Sequence, residues 1–310
     1  MSRGAELLRE LFSRPGIVKC AGAHNASGAR VAEIAGFDAI WSSSFEISAS
    51  NCVPDSSILS MTEYLQVADS ITRAVSVPVV ADCDTGYGNA TNVSYAIKRF
   101  EASGIAGVSI EDQVFPKANS LLDGPQELVP ITEFQHKIHA AKKAQVTPEF
   151  MIIARVQALI AGAGQREAQL RAREYAAAGA DAILIHWNES SIEPIQHFLE
   201  VWTRDVPVVV IPTTYHRTSV QQLEALGAKM VIYANHGLRS ALNAMEETFR
   251  TILATGSSSA VESVIWPVDR IFEDLQGIKN CRRPSTTDSF QLLSNHLPSR
   301  EKNCRRRLIS

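Results

Sequence analysis

Short apolar runs rich in β-branched residues recur along most of the chain, and each has the length and composition of a buried strand. They are Ile17–Cys20, Asp38–Trp41, Val77–Ala81, Gly107–Ile110, Met151–Ala154, Ala182–Ile185, Val208–Ile211 and Met230–Tyr233. The segments between them, such as Arg166–Ala178 and Val220–Leu226, have helical periodicity. Eight strands that alternate with helices predict an α/β fold, the (β/α)8 or TIM barrel.

Glycine marks the points where several of these helices should end. Gly36, Gly104, Gly179 and Gly227 each stand just before a predicted strand. A left-handed residue after the last helical turn is most easily supplied by glycine, which has no Cβ. This spacing therefore supports the alternation of helices and strands.

Polar residues follow each predicted strand at its carboxyl end. In chain order they are His24, Asn25, Ser42–Ser44, Asp82, Asp84, Glu111, Asp112, Arg155, Gln157, His186, Thr213, Tyr215, Asn235 and His236. Barrel enzymes build their active sites at this face. The pattern predicts a catalytic mouth, and the alternative is a structural polar rim.

Three acidic residues dominate this predicted mouth. Asp82 and Asp84 are two residues apart, so on an extended chain their carboxylates point the same way, and Glu111 leaves its own strand at the equivalent place. Grouped buried carboxylates are costly unless a cation neutralises them, and Mg²⁺ suits oxygen ligands and water. We therefore predict a Mg²⁺ site, against the alternative of helix capping or loop solvation. Cys83 should point the opposite way, toward the helices.

Four further sets of residues are candidates for the site, and some of them have structural alternatives. Arg155 directly follows a buried strand, which predicts a clamp on a phosphate or carboxylate, whereas His186 has a core histidine as its alternative. Lys117, Asn119 and Ser120 add a cation and small hydrogen-bonding groups, as an anionic substrate requires. Asp55 follows a proline and alone would be an ordinary turn residue.

Composition and charge predict where the folded domain ends and in which cellular compartment the protein resides. The 310 residues are 45% hydrophobic with a net charge of −3, which gives no global field for a polyanion. After Gly277, eight Lys or Arg stand against two acidic residues, a charge of +6. We predict a barrel domain at 1–277 and a basic, disordered tail at 278–310, with a nucleic-acid or membrane role as the alternative. Five cysteines without CxxC spacing, and no signal core or membrane span, predict a cytoplasmic protein.

Two motifs resemble a known family. The stretch Asp-Cys-Asp-Thr-Gly-Tyr-Gly-Asn at 82–89 and the stretch Glu-Asp-Gln-Val-Phe-Pro-Lys-Ala-Asn-Ser at 111–120 resemble the phosphoenolpyruvate mutase/isocitrate lyase superfamily, in its P–C bond branch. The likeness runs from about residue 15 to 276. It implies a Mg²⁺ ion held by Asp82, Asp84 and Glu111, partly through water, and a cytoplasmic homodimer or homotetramer that exchanges a helix near residues 262–276. No nucleic-acid or membrane partner is expected.

The resemblance also implies roles for the remaining site residues. Asp55 would lie beside a transferring phosphoryl group, and Arg155 and His186 would bind phosphoryl or carboxylate groups. Lys117, Asn119 and Ser120 would lie on a mobile gating loop. The pyruvyl end of the substrate would be lined by Trp41, Ser43, Ser44 and Phe45.

The implied reaction is the Mg²⁺-dependent interconversion of phosphoenolpyruvate and phosphonopyruvate, with phosphonopyruvate hydrolysis as the main alternative. Asn119 favours the interconversion, because the hydrolase has threonine there, whereas the segments at 45–50 and 53–61 look closer to the hydrolase. Lysis of a C–C bond in a 2-hydroxy acid is disfavoured, since the Lys-Lys-Cys-Gly-His loop of that branch is missing. A non-catalytic binding barrel is the last alternative.

Three positions depart from the family pattern. Gln113 replaces a lysine, and Gln157 replaces a glutamate, which predicts a lost ion pair if the two sites meet. Ser44 replaces a glycine in the pyruvyl-binding turn, and its side chain would crowd the substrate or demand a different one.

Overall fold

The computed structural model describes residues 3–122 and 124–278, and within them eight parallel strands close into a barrel in sequence order. The predicted (β/α)8 fold is confirmed. β8 pairs with β1 through the register of Val18 with Met230, which closes the sheet. The strands are β1 Val18–Ala23, β2 Ala39–Ser42, β3 Val79–Asp82, β4 Gly107–Glu111, β5 Met151–Val156, β6 Ala182–Ile185, β7 Val208–Val210 and β8 Ala228–Tyr233.

Ten helices accompany the strands in the described part of the first compact unit, which ends at Ser257. They are α1 Arg3–Ser13, α2 Ala26–Ile34, α3 Ser44–Ser50, α4 Met61–Ala74, α5 Ala90–Ala102, α6 Ile131–Ala144, α7 Gly164–Ala177, α8 Glu193–Glu200, α9 Val220–Ala225 and α10 His236–Thr255. The four predicted helix-ending glycines have φ values of 93°, 82°, 100° and 95° at Gly36, Gly104, Gly179 and Gly227, so this prediction is confirmed as well.

The core has two layers, as the period-two pattern of the strands requires. Residues such as Trp41, Val80 and Ile153 fill the barrel interior, where Leu8 of α1 joins them. A larger cluster lies between the strands and the surrounding helices. Cys83 belongs to that outer cluster and is 1% exposed, which confirms that it points toward the helices.

Several predicted strands extend further at their carboxyl ends than their apolar runs do. β3 includes Asp82 and β4 includes Glu111, whose Cα is in register with that of Arg155 on β5. The backbone ladder continues through these charged residues because each still has a paired neighbour. Asp82, Glu111 and Arg155 are therefore fixed on strands, whereas Asp55 and the segment at 113–120 lie on the connections between strands and helices.

The second unit begins at Ser258. Its described part contains a short helix, α11 (Val268–Arg270), followed by a π-helical segment at Ile271–Leu275. The Arg270 guanidinium lies 3.7 Å from the ring centroid of Trp266. The predicted helix exchange near 262–276 stays a prediction, and the predicted tail lies, apart from residue 278, outside the described residues.

Among the residues that the structure describes, no helix has the length and apolar character needed to cross a membrane.

Candidate active site

One cavity at the carboxyl ends of the strands is lined by every residue to which the resemblance assigned a role, except Asp84. Of the other polar residues predicted at the mouth, the lining includes Thr213 and Asn235 but not His24, Asn25, Ser42, Asp112, Gln157, Tyr215 or His236. The lining consists of Trp41, Ser43, Ser44, Phe45, Asp55, Asp82, Glu111, Lys117, Ala118, Asn119, Ser120, Leu121, Arg155, His186, Ile211, Thr213, Ala234 and Asn235. Asp84 lies next to this wall, because its Oδ1 is 2.7 Å from the Nζ of Lys117. The structure thus brings these residues together, while their roles stay predictions.

The turn after β3 positions the first two carboxylates. Asp84 has a φ of 49°, and Gly86 has a φ of 88°. A Cβ at Gly86 would lie 2.5 Å from Cγ2 of Val93, so the turn needs glycine there. The buried Lys137 donates to the carbonyl of Thr85 at 3.0 Å, and the Glu111 N–H donates to the carbonyl of Asp84 at 2.8 Å. These bonds fix the turn against β4 and α6.

Six buried ionisable side chains form what we call the mouth cluster, and none of them is more than 9% exposed. Its members are Asp55, Asp82, Asp84, Glu111, Lys117 and Arg155. Four carboxylates stand against two cations, so the fully ionised cluster carries a charge of −2. Burying such an excess is unfavourable unless a further cation is bound.

Lys117 stands among the carboxylates of this cluster. Its Nζ is 2.9 Å from Oδ1 of Asp55 and 2.7 Å from Oδ1 of Asp84. It also donates a hydrogen bond to Oγ of Ser44 at 3.0 Å, and Ser44 in turn donates to Oδ2 of Asp82 at 2.8 Å. One ammonium group therefore links three parts of the cavity wall.

Glu111 occupies the opposite side of the cluster. Its Oε2 is 3.2 Å from Nε of Arg155 and accepts a hydrogen bond of 2.6 Å from Nε2 of Gln157. Its Oε1 and the Oδ2 of Asp84 are buried and receive no hydrogen bond from the described residues. Unpartnered buried carboxylate oxygens are rare and call for an additional ligand.

The electrostatics of the cluster follow from burial and like charge. Burial raises the pKa of Asp84 to about 7 against the pull of Lys117, and the carboxylates of Asp82 and Asp55 add to the rise. Burial also raises the pKa of Glu111 against the opposing effect of Arg155. Burial alone would lower the pKa of Lys117, but the surrounding carboxylates raise it well above its ordinary value. Lys117 is thus a permanent cation.

A second polar group surrounds His186. Nη2 of Arg155 donates to Nδ1 of His186 at 2.8 Å, and Oγ of Ser120 is 3.2 Å from the same nitrogen. Since the guanidinium can only donate, Nδ1 accepts and the ring proton stands on Nε2. Burial, together with Arg155 and Lys117, lowers the pKa of His186 well below its ordinary value. His186 is buried, but its partners are site residues.

Asn119 and Asp55 meet across the cavity. Nδ2 of Asn119 donates to Oδ2 of Asp55 at 2.8 Å, so Asp55 is more than a turn residue. Oδ1 of Asn119 accepts from the N–H of Leu121 at 2.8 Å, which fixes the orientation of the amide. The two residues that resemblance alone had placed near the reacting group are therefore in direct contact.

The residues fit a hydrated divalent cation better than a closed cage. Within residues 3–122 and 124–278, no three His, Cys, Asp or Glu side chains come close enough to hold one ion directly. The charge excess of the mouth cluster and the two unpartnered oxygens still favour a cation there. Mg²⁺ commonly uses one or two carboxylates and completes its shell with water and substrate oxygens.

The two glutamine replacements serve different purposes. Oε1 of Gln113 accepts from the N–H of Ala118 at 2.9 Å and supports the segment that carries Lys117. Gln157 donates to Glu111, as described above. No hydrogen bond joins the two glutamines in the described residues, and whether they replace an ion pair stays a prediction.

One supporting network was not predicted, and it turns Asp112, which the sequence pattern had placed at the mouth, toward α7. Asp112 accepts from Nη1 of Arg171 at 3.0 Å, from the hydroxyl of Tyr175 at 2.8 Å and from the N–H of Gln157 at 2.9 Å. Arg171 also pairs with Glu167 at 2.8 Å. The signal was the i, i+4 spacing of positions 167, 171 and 175, which places them on one face of α7.

A closed barrel whose strand ends surround a buried cavity with excess carboxylates and anion-binding cations belongs to the class of (β/α)8 enzymes. The chain is a member of the phosphoenolpyruvate phosphomutase family, whose sequence model matches residues 8–253. The family name denotes an isomerase, in agreement with the predicted enzyme class.

Three similar proteins illustrate the membership. A phosphonopyruvate hydrolase of Variovorax sp. (strain Pal2) is 46% identical over 262 residues, which are 84% of this chain and 90% of that protein. The crystal structure of phosphoenolpyruvate phosphomutase from Streptomyces platensis subsp. rosaceus is 57% identical, with a TM-score of 0.88 over 89% of this chain and 96% of that one. A phosphonopyruvate hydrolase in complex with oxalate and Mg²⁺ is 42% identical, with a TM-score of 0.84 over 88% and 95% of the two chains.

Proposed function

We propose that the protein interconverts phosphoenolpyruvate and phosphonopyruvate. The reaction breaks the P–O bond of phosphoenolpyruvate and forms a P–C bond at C3 of the pyruvate enolate. The observation that carries this proposal is the hydrogen bond between Asn119 and Asp55. This bond supports the proposal because it joins Asn119, which the resemblance links to the interconversion rather than to hydrolysis, to the carboxylate expected beside the phosphoryl group.

The cavity supplies groups of the right charge for both fragments. A phosphoryl group in transfer and an enolate are both anionic, and cations held in a buried site stabilise them electrostatically. Arg155 and the Nε2–H of His186 suit the anionic oxygens, with Ser120 as a further hydrogen-bonding group. Ser43, Ser44 and Phe45 stand at the start of α3 and Trp41 on β2, where they suit the pyruvyl end.

Exclusion of water decides between transfer and hydrolysis, because water competes for the phosphoryl group. Lys117, Asn119 and Ser120 are each at most 8% exposed and cover the cavity in the described conformation. We propose that the segment at 113–120 closes over the substrate and keeps water from it. Its contacts to Asp55, Ser44 and Arg155 hold it in place.

We further propose that Mg²⁺ binds at Asp82, Asp84 and Glu111, partly through water. The support is the excess of two carboxyl groups over cations in the mouth cluster and the buried oxygens of Asp84 and Glu111 that receive no hydrogen bond from the described residues. The related hydrolase structure contains Mg²⁺ together with oxalate. When bound, the ion would neutralise the developing negative charge on substrate oxygens.

Phosphonopyruvate hydrolysis is the second candidate. It is favoured by the 46% identity to the Variovorax hydrolase. Asn119 disfavours hydrolysis, since the resemblance implies that the hydrolase has threonine at this position. A C–C lyase is disfavoured by the missing cysteine loop, because the segment Gln113–Ser120 offers no thiol for acid–base chemistry.

We also propose that the protein associates with copies of itself. α10 exposes Leu242, Met245, Phe249 and Leu253, an apolar stripe at helical spacing. Such a stripe suits contact with a second copy, as in the expected homodimer or homotetramer. A cytoplasmic location, and the expectation of neither nucleic-acid nor membrane partners, stay predictions.

The experiment is to incubate the purified protein and Mg²⁺ with phosphonopyruvate and follow the phosphorus signals by NMR. Conversion to phosphoenolpyruvate is the expected result. Formation of inorganic phosphate and an equal amount of pyruvate would show that the protein is a hydrolase and would overturn the proposal. An unchanged phosphonate signal would contradict both reactions.

A further inference from the structure

Ser44 holds a central place in the site although the family resemblance leads one to expect glycine there. It is the first residue of α3 and is 0% exposed. Its hydroxyl donates to Oδ2 of Asp82 at 2.8 Å and accepts from Nζ of Lys117 at 3.0 Å. A serine hydroxyl has one proton to donate, so its bond to Asp82 turns its lone pairs toward Lys117.

The contact between Lys117 and Ser44 differs from the other contacts of this ammonium group. Oδ1 of Asp55 and Oδ1 of Asp84 lie within ion-pair distance but receive no hydrogen bond from the described residues. At 3.0 Å the Ser44 contact is slightly longer than either ion pair, but among the three it is the one with hydrogen-bond geometry. Coulomb attraction has little directionality, whereas a hydrogen bond fixes the direction of the donor. Ser44 therefore acts with the two carboxylates in holding the ammonium group, and it is the member of the three that ties Lys117 to Asp82 on β3.

We propose that Ser44 is a positioning residue that joins Asp82 of β3 to Lys117 and so holds the segment at 113–120 against the barrel mouth. This inference rests on the proposed function for its catalytic meaning, since Lys117 is the group that it positions. A glycine at this place would leave the segment with fewer bonds to the barrel. The chain would thereby differ from relatives with glycine in how firmly the segment is held.

Other contacts also hold the segment at 113–120, so losing the bond to Ser44 should have a limited effect on its opening. The Lys117 N–H donates to Oγ of Ser57 at 3.3 Å, and Asn119 is bonded to Asp55. Losing the single charge-assisted bond from Lys117 should therefore raise the open population of the segment about tenfold. The remainder of the fold should be unaffected.

Limited digestion with trypsin tests the proposal without any need for activity, because cleavage after Lys117 requires the segment to open. Ser44→Ala should be cleaved there about tenfold faster than wild type, with the product that begins at Ala118 measured by mass spectrometry. Cleavage after the exposed Lys98, inside α5, serves as the reference for opening of the whole fold.

Two further variants separate positioning from a general loss of packing. Ser48 lies on the same helix, is equally buried, and hydrogen-bonds the hydroxyl of Tyr64 at 2.9 Å, so Ser48→Ala is the matched control and should leave cleavage after Lys117 unchanged. Ser44→Thr keeps the hydroxyl and should restore most of the protection. Wild-type cleavage in Ser44→Ala, or equal acceleration in Ser48→Ala, would overturn the proposal.

Phosphorus NMR with phosphonopyruvate then distinguishes failure of the proposed reaction from failure of the proposed role of Ser44. Faster cleavage of Ser44→Ala combined with an inert wild-type protein would reject the proposed reaction and keep the role of Ser44. If the wild-type protein is active and Ser44→Ala is neither cleaved faster nor slowed in turnover, the proposed reaction stands and the role of Ser44 is rejected.

Discussion

Glu111 and Asp112 are consecutive, equally buried carboxylates that differ in their surroundings. Glu111 faces the mouth, where its Oε1 has no hydrogen-bond partner in the described residues. Asp112 faces the helices, and its two oxygens accept from Arg171, Tyr175 and the backbone of Gln157. Burial raises the pKa of both carboxyl groups, so burial alone does not distinguish them.

The difference lies in how the charge is satisfied. Asp112 has a complete set of partners, as a structural buried charge requires. Glu111 belongs to a cluster with two more carboxylates than cations and with oxygens left open. We therefore predict that incomplete satisfaction marks the reactive side at the end of β4, and that complete satisfaction marks the supporting side.

The largest effect is expected from Glu111→Gln. Turnover of phosphonopyruvate should fall about 10³-fold, because the variant loses a carboxylate of the proposed Mg²⁺ site. The free energy of unfolding should stay unchanged or rise, since the mouth cluster has excess negative charge. Phosphorus NMR and urea unfolding measure the two quantities. A strong loss of stability with activity retained would reverse the assignment.

The matched substitution on the other side is Asp112→Asn. It should lower the free energy of unfolding by about 3 kcal/mol, because Arg171 would lose its fully buried partner. Urea unfolding at neutral pH measures the change. Wild-type stability in this variant would show that the comparison between the two carboxylates is wrong.

A smaller effect is expected from Asn119→Thr. The hydrolytic share of the products should increase about fivefold, a difference of about 1 kcal/mol between competing barriers. The reason is that a threonine hydroxyl cannot reproduce the amide bond to Asp55 and the bond from Leu121 together. Product ratios from phosphorus NMR measure it, and an unchanged ratio would remove Asn119 from this role.

The smallest effect concerns His186 and pH. Its folded-state pKa lies below the ordinary value near 6.5, so the unfolded chain binds more protons below that pH. This residue's contribution to stability is therefore complete above pH 6.5 and declines as the pH falls. Replacing it by glutamine should reduce the slope of unfolding free energy against pH, between 6.5 and 5, by about 0.5 kcal/mol per unit. Identical slopes would contradict a neutral His186.

The fold was predictable because its determinants are local. Apolar runs, helical spacers and glycines such as Gly36 and Gly179 each act over a few residues, and their repetition defines the barrel. The mouth was predictable for the same reason, since strand ends of a barrel share one face.

Contacts between distant residues could not be predicted in this way. Spacing places Arg171 and Tyr175 on one face of α7, but it predicts neither their contact with Asp112 nor the link from Ser44 to Asp82 and Lys117, because side-chain direction decides both. Asp55 shows the intermediate case. Resemblance assigned it a role, while its own sequence surroundings indicated only a turn.

The most direct test of the comparison is a calorimetric titration of Mg²⁺ into the protein in the presence of oxalate, with Glu111→Gln and Asp112→Asn beside wild type. We predict one bound ion in wild type and in Asp112→Asn, and at least about tenfold weaker binding in Glu111→Gln. Equal affinity in wild type and Glu111→Gln would contradict the claim that the unsatisfied carboxylates of the mouth hold the metal.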